Sequence, residues 1–243
     1  MSQTNQYSIA QSVILHLLPG TLIIATHVIT APLVIEFGFP SELSLLLSFI
    51  FIGIPVELGY LFIQGKKINR KLSLKGVIQY RNKMSVWKYG LLFILLLVAA
   101  LGALFLTTSL TSYLAGSVFN WLPEYLRPHD LAEAAFSRSA IILVLVLRLI
   151  IDGFINPIVE ELYFRGHLLP NMSHMAWVAP LLNATLFTIA HFWQPYNYPL
   201  ILLIQIPVVF VVYVNKNIYI AILVHCFANI LGALLTLLQF INQ

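Results

Sequence analysis

Two adjacent carboxylates and a guanidinium stand together in a chain that is otherwise poor in charge. Glu160, Glu161 and Arg165 fall within six positions of "VEELYFRGHLL" (159–169), while only 9% of the 243 residues are charged. A carboxylate can take a proton from water in acid–base catalysis, and a guanidinium can hold a carboxylate in place. Neighbouring residues on a helix point about 100° apart, whereas residues four apart share a face. We therefore expect Glu161 to pair with Arg165, which leaves Glu160 free to face something else.

Two later apolar segments carry residues that would complete a reaction centre. His191 stands in "FTIAHF", and His225 and Asn229 stand four apart in "HCFAN". Glutamate and histidine together are suited to activating water, either by abstracting its proton or by holding a metal ion. Asparagine and arginine supply hydrogen-bond donors for the oxyanion that develops on an attacked carbonyl. Together with Glu160, these residues predict a hydrolase that cuts an amide bond.

The elements that must position these residues are membrane helices. Apolar residues make up 60% of the chain, and its charged fraction is far below the roughly 25% of a soluble domain. Because each membrane helix uses about 20 residues, the length suits one all-α polytopic transmembrane bundle of about seven to eight helices. We predict a single integral-membrane domain over residues 1–243, with the motif helices in residues 140–240. The predicted spans are Ile9–Val34, Leu43–Ile63, Val86–Leu106, Ala140–Leu162, Trp177–Phe192, Pro199–Val214 and Ile218–Phe240.

The basic residues indicate how the chain is oriented in the membrane. The net charge is +4, and eight of the thirteen basic residues fall between Lys66 and Lys88. This clustering is a topology signal, so we expect the lipid bilayer and no nucleic acid as a partner. Cytoplasmic loops are enriched in Lys and Arg, which predicts a multi-pass protein of the cell membrane with this loop and the N-terminus in the cytoplasm. Within the loop, apolar residues from Leu72 to Tyr80 could form an amphipathic helix that lies on anionic lipid.

Polar residues also follow one side of the fourth span. They are spaced four apart and form a slowly drifting stripe: Arg148, Asp152, Asn156 and Glu160. We interpret Arg148 and Asp152 as a structural ion pair. Taken alone, the charges at 160–165 could equally be an interfacial cluster that snorkels to water. Counted at 1.5 Å per residue from the same membrane face, Glu160 and His225 reach similar depths, whereas His191 lies deeper.

At this point the residues resemble a known family. "EELYFR" has the form EExxxR, "FTIAH" the form FxxxH and "HCFAN" the form HxxxN, in that order and in three separate apolar segments. This is the pattern of the CPBP (Abi) intramembrane proteases, which include the CAAX prenyl endopeptidases and proteins of bacteriocin processing or immunity. The motifs cover residues 160–229, and in the first 140 residues the resemblance is limited to hydropathy. The resemblance implies an all-helical, CAAX-endopeptidase-like bundle with an aqueous cavity open toward the cytosol.

The resemblance also implies a role for each motif residue. Glu160 resembles the general base that activates water, with His191 as its partner. His225 and Asn229 resemble the groups that stabilise the tetrahedral oxyanion. Glu161 and its arginine complete the first motif in a supporting role.

A metal ion is a further implication of the resemblance, because the family is often described as metalloproteases. Glu160, His191 and His225 are then the candidate ligands of a divalent metal such as zinc. The sequence does not require this metal, since the same residues could act without it.

The leading functional prediction is an intramembrane endopeptidase that cuts membrane-associated or small peptide substrates near the cytosolic face. The alternative is a non-proteolytic membrane scaffold or bacteriocin-immunity protein of the same fold, which works by binding. A third possibility is a small transporter with a proton relay, which predicts inverted repeats or paired broken helices; neither is evident. Nothing in the sequence identifies prenyl recognition, so the partner stays a peptide or membrane-protein substrate.

Overall fold

The long apolar runs fold into helices that can cross a membrane. A computed structural model describes residues 6–127 and 136–242. Within these residues, six helices have the length and composition of membrane spans, and a further apolar helix, Val178–Ala190, is shorter. The predicted all-α polytopic bundle is therefore confirmed. Residues 1–5, 128–135 and 243, which the predicted single domain includes, lie outside the described residues.

The helices correspond one to one with the predicted spans. In chain order they are α1 (Ile9–Glu36), α2 (Glu42–Asn69), α3 (Val86–Val118), α4 (Arg138–Asn171), α5 (Val178–Ala190), α6 (Tyr198–Asn215) and α7 (Tyr219–Ile241). Short 3₁₀ turns lie between them at Glu124–Leu126, Ser173–Met175 and Pro195–Asn197. The main differences from the prediction are in α3, which continues past Leu106 to Val118, and in α4, which continues past Leu162 to Asn171. The whole EExxxR motif therefore lies inside α4.

α4 is not uniform along its length. It contains two π-helical turns, at Ile151–Ile155 and at Glu161–Leu168. Pro157 follows the first of them, at the start of the next α-helical segment. Proline cannot donate the usual helical hydrogen bond, and the wider turn before it accommodates this loss. The second π-helical turn carries the arginine of the motif, and such turns are frequent at functional sites.

The helices pack in a closed ring. α1 contacts α2 and α5, α5 contacts α6, α6 contacts α3, α3 contacts α7, α7 contacts α4, and α4 returns to α2. The outer surface of α3 is apolar, with Leu95, Val98 and Leu101 more than half exposed. Such a surface is suited to lipid contact, because lipid tails are themselves apolar. The polar stripe of α4 can then face the inside of the ring.

The α1–α5 contact is unusually close at one point. A Cβ atom added to Gly20 would lie 2.0 Å from the carbonyl oxygen of Ala190. No real side chain tolerates this distance, so the absence of a Cβ in α1 lets the last turn of α5 approach. Ala190 immediately precedes His191, and the contact thereby sets the position of the second motif.

The basic loop packs on the protein. Residues 70–85 form turns and extended segments, so the predicted amphipathic helix is wrong. Val77 and Ile78 are 0% and 7% exposed and belong to the main apolar core. The backbone N–H of Gln79 donates to the carbonyl oxygen of Gly166 at 2.7 Å. The apolar residues of this loop therefore pack against α4, whereas their spacing in the sequence had predicted contact with lipid.

Candidate active site

The three motifs meet at a cavity of about 640 Å³ inside the ring. α4, α7 and the end of α5 each supply part of its wall. Its lining includes Glu160, Glu161, His191, His225 and Asn229. The motif arginine, Arg165, lies behind this wall and is 0% exposed. The predicted site residues, which are up to 69 positions apart in the chain, therefore surround one internal space.

Glu161 and Arg165 form the predicted ion pair. An Nη1–Oε1 distance of 3.3 Å joins them, and both side chains are 0% exposed. Arg165 also donates through Nη2 to Oε1 of Gln205, and its guanidinium carbon lies 3.9 Å from the ring centroid of Phe187. Because a buried charge is costly unless it is paired and hydrogen-bonded, these contacts fix Glu161 in the wall as a carboxylate.

Glu160 has a different environment from its neighbour. Its Oε1 accepts a 2.9 Å hydrogen bond from Nδ2 of Asn156, one turn earlier in α4. Its Oε2 points toward Nε2 of His225, at 3.9 Å. Glu160 has no ion pair with Arg165 among the described residues. The two glutamates are therefore not equivalent, and Glu160 is the one whose carboxylate is free to act on a molecule in the cavity.

His225 lies between the two carboxylates. Its Nδ1 lies 3.0 Å from Oε1 of Glu161, and its Nε2 faces Glu160. A carboxylate only accepts hydrogen bonds, so Nδ1 carries a proton and donates to Glu161. Two negative groups flank the ring, so the charge of an imidazolium would be compensated here. The sequence reading placed His225 with the oxyanion and His191 next to Glu160, whereas in the structure His225 is the histidine that contacts the glutamates.

His191 stands at the end of α5. The helix ends at Ala190, and His191 has non-helical torsion angles, so the prediction that it lies within a helix is wrong. Its Nδ1 lies 2.8 Å from the carbonyl oxygen of Phe187, which means that Nδ1 donates and Nε2 is left without a proton in the neutral ring. The ring packs against Phe187 and Trp193. His191 therefore presents an acceptor nitrogen at the cavity wall.

Asn229 is tied to the polar stripe of α4. Its Nδ2 donates to the backbone oxygen of Asp152 at 2.9 Å and, more weakly, to Oδ1 of Asp152 at 3.4 Å. Asp152 in turn pairs with Arg148 at 3.5 Å, as predicted from their spacing. Both partners of this pair also line the cavity. The pair is therefore part of the site wall, and it orients the side chain of Asn229.

The cavity extends toward one end of the bundle. Its lining continues to residues that connect the helices at that end, namely Ser41, Glu42, Tyr125, Gln194, Tyr196 and Asn197. The basic loop lies at the other end, where Gln79 contacts Gly166. A cytoplasmic basic loop and a cavity open toward the cytosol were both expected. The two expectations cannot hold together, because the loop and the cavity face opposite ends of the bundle.

One comparison with known families matches part of the chain. Residues 142–231 match the family model of the Type II CAAX prenyl endopeptidase Rce1-like proteins. The CPBP resemblance is confirmed over this segment. All six motif residues, from Glu160 to Asn229, fall inside the match. No curated protein and no solved structure matches the chain.

The family model that these residues match describes proteases. The match to residues 142–231 and the six apolar helices together indicate a membrane protein. These statements fit the geometry of α4, α5 and α7, which enclose the motif residues of the segment inside the ring.

The metal implied by the resemblance does not fit the side chains as they are arranged. Among the described residues, no three His, Cys, Asp or Glu side chains are grouped as metal ligands would be. The misfit lies in the spacing of the side chains, because the hydrogen bonds at Nδ1 of His191 and His225 leave each Nε2 available for coordination. We therefore derive no reaction step through a metal ion.

One contributor to the site was missed in the sequence. Gln205 interrupts the apolar α6 and accepts from the motif arginine, so a lone amide in an apolar helix was the signal that could have revealed it. Glu57, a carboxyl group of the apolar α2, is 3% exposed and does not line the cavity among the described residues.

Proposed function

We propose that this protein is an intramembrane endopeptidase that hydrolyses peptide bonds of membrane-associated or small peptide substrates inside the α4–α5–α7 cavity. The observation that carries the proposal is the difference between the two glutamates. Glu161 is held by Arg165 and His225 at 3.3 and 3.0 Å, whereas Glu160 lines the cavity and its Oε2 lies 3.9 Å from Nε2 of His225. A fixed carboxylate beside a free one supports a division between positioning and chemistry.

Glu160 is the general base in this mechanism. Oε2 takes one proton from a water molecule, and the oxygen of that water forms a bond to the carbonyl carbon of the peptide. General-base catalysis of this kind contributes about 10²–10⁴-fold in rate. The hydrogen bond from Asn156 to Oε1 at 2.9 Å keeps the carboxylate oriented while Oε2 reacts.

His191 orients the attacking water. Its unprotonated Nε2 can accept a hydrogen bond from a water molecule, because the carbonyl oxygen of Phe187 holds the ring proton on Nδ1. A water held by two acceptors, Glu160 and His191, has its lone pair directed away from both. This assigns His191 a role beside Glu160, without direct contact between them.

His225 and Asn229 stabilise the oxyanion. As an imidazolium, His225 donates from Nδ1 to Glu161 and offers the proton on Nε2 to the carbonyl oxygen that becomes negative. Nδ2 of Asn229 carries two hydrogens, so one can serve both acceptors of Asp152 while the other donates to the same oxygen. One such donor contributes about 10²–10³-fold in rate.

Collapse of the tetrahedral intermediate breaks the carbon–nitrogen bond. The proton that Glu160 took from water then passes to the leaving amine, so that the carboxylate is regenerated. The products are one new carboxylate and one new amine, and no other reactant is consumed.

Comparative peptidomics tests this proposal. Membranes would be compared from cells that lack the chain and from cells that express it unchanged, as Glu160→Gln, or as Glu36→Gln. Glu36 is an exposed carboxylate at the end of α1 and serves as the matched control. We expect a set of cleaved peptides that depends on the unchanged chain and on Glu36→Gln and disappears with Glu160→Gln. If no peptide depends on the unchanged chain, and Glu160→Gln retains the full cellular function, the protein works by binding as a scaffold or immunity protein and the proposal is wrong. If Glu160→Gln yields the same peptides, Glu160 is not the base.

A further inference from the structure

The two ends of the bundle carry very different charge. Nine of the thirteen Lys and Arg residues belong to one end, eight in the loop from Lys66 to Lys88 and the ninth at Lys216. No Asp or Glu occurs between residues 58 and 123 or between 162 and 243. The structure joins these basic segments, because the N–H of Asn82 donates to the carbonyl oxygen of Lys216 at 2.9 Å and Nδ2 of Asn217 donates to the carbonyl oxygen of Asn82 at 2.6 Å.

The start of α1 lies at the same basic end. The backbone N–H of Tyr7 donates to the carbonyl oxygen of Asn171 at 2.9 Å, and the Tyr7 hydroxyl lies 2.8 Å from Nε2 of His167. His167 is joined through Nδ1 to the carbonyl oxygen of Val77 in the basic loop, at 3.1 Å. The start of α1, the end of α4 and both basic segments therefore form one face of the bundle.

This basic face is closed beneath the site. Val77 and Ile78 of the loop pack in one apolar core with Phe164 and Leu168 of α4, and all four are at most 7% exposed. Gly166 lies against the loop, and a Cβ atom added there would lie 3.0 Å from Ile78. None of these residues lines the cavity among the described residues. A molecule in the cavity is thus separated from the basic face by a layer of packed side chains.

The cavity instead leads to the opposite face. Its lining runs from Glu160 past Asp152 to Tyr125 and to the α5–α6 connection, which includes Gln194 and Asn197. The described side chains of this connection are half-buried, so they border the cavity and also the surface of the bundle.

We infer that the basic face is cytoplasmic and that the cavity is entered from the extracytoplasmic side of the membrane. Lys and Arg are retained on the cytoplasmic side of membrane proteins. The basic face carries nine of these residues, whereas the opposite end carries two, Arg127 and Arg138, which is a strong bias. The direction of entry does not depend on catalysis. The substrate class does rest on the proposed function. If the protein is a protease, its substrate is a peptide segment exposed on the extracytoplasmic side, such as the emerging end of an exported peptide.

Cysteine accessibility in intact cells tests the direction of entry. Cys226 is the single cysteine of the chain, so a Cys226→Ala background carries one new cysteine at a time. Lys75→Cys reports on the basic face, Glu124→Cys on the exposed surface of the opposite face, and Asn197→Cys on the cavity entrance. Each variant of the full-length chain is treated with a membrane-impermeant maleimide before and after permeabilisation of the cells.

We expect Glu124→Cys and Asn197→Cys to be labelled to the same extent before and after permeabilisation, and Lys75→Cys to be labelled only afterwards. The reverse pattern, with Lys75→Cys labelled in intact cells and Glu124→Cys protected, overturns the inference. Labelling requires no proteolysis, so this result is independent of the proposed function. In cells where a cleaved peptide has been identified, a bulky impermeant maleimide on Asn197→Cys should stop cleavage, and unimpaired cleavage after complete labelling overturns entry through this face.

Discussion

The replacement Glu161→Gln should unfold the protein more easily without removing the group that acts on water. Glu161 balances the charge of Arg165 at 3.3 Å, and both side chains are 0% exposed. Breaking such a pair costs about 3–5 kcal/mol, because the remaining charge stays buried without its partner. Gln205 and the ring of Phe187 still contact the guanidinium, and the new amide oxygen can accept one hydrogen bond. We therefore expect a loss near the lower bound, about 3 kcal/mol in the free energy of unfolding.

Thermal unfolding in detergent micelles, followed by the fluorescence of the four tryptophans, measures this loss. The matched control is Glu36→Gln, an exposed site where the change should stay within about 0.5 kcal/mol. Arg165→Met provides the second single variant, and the double variant Glu161→Gln/Arg165→Met removes both charges. Because the two residues are in contact, the double variant should be less destabilised than the sum of the singles, by about 0.5–3 kcal/mol. If Glu161→Gln unfolds like Glu36→Gln, or if the two single losses simply add, the ion pair does not hold the wall and the reasoning is wrong.

Two further predictions concern the packing and the orientation of the site. Gly20→Ala places a methyl group against the carbonyl oxygen of Ala190 and should destabilise the fold by about 1–3 kcal/mol. The control is Gly59→Ala, where nothing lies within 4 Å of the added Cβ, and this change should stabilise the fold by about 0.5–1 kcal/mol. Equal unfolding midpoints of the two variants would contradict the close α1–α5 contact. Asp152→Ala removes the side-chain acceptor of Asn229 but keeps the backbone acceptor, so kcat/KM for an identified peptide should fall by up to about 10²-fold with the expression level unchanged. An unchanged kcat/KM would show that this orientation does not matter.

Local spacing was sufficient to predict much of the site. Residues four apart on a helix share a face, and this rule gave the Glu161–Arg165 pair, the Arg148–Asp152 pair and the separation of the two glutamates. The spans were readable because hydropathy reports directly on lipid contact. These features depend on one helix at a time.

Where helices end and how they face one another could not be predicted from the sequence. His191 was placed within a helix, because an apolar run gives no sign that α5 ends at Ala190. The contact of His225 with both glutamates, at 3.0 and 3.9 Å, depends on how α7 is rotated against α4. Periodicity fixes the face of each helix but not which face meets which neighbour.

The basic loop shows the same limit. Its apolar residues have a spacing that suits a lipid surface, yet Val77 and Ile78 are buried against α4. The direction in which the cavity opens is likewise decided by this packing, since the loop closes the end of the bundle that carries most of the basic residues. The sequence alone allowed a cytoplasmic basic loop together with a cavity open toward the cytosol, but the packing places the loop and the cavity opening at opposite ends of the bundle.

The role of Glu160 as the base is tested by the rate of peptide hydrolysis by the purified chain in proteoliposomes, compared between the unchanged protein and Glu160→Gln. The substrate would be a peptide identified by the membrane comparison, and the reaction would be run in ¹⁸O-labelled water. We expect the unchanged protein to introduce one labelled oxygen into the new carboxylate. We expect Glu160→Gln to be slower by about 10²–10⁴-fold, with an unfolding midpoint close to that of Glu36→Gln. Hydrolysis by Glu160→Gln at the unchanged rate would contradict the assignment of Glu160 as the base.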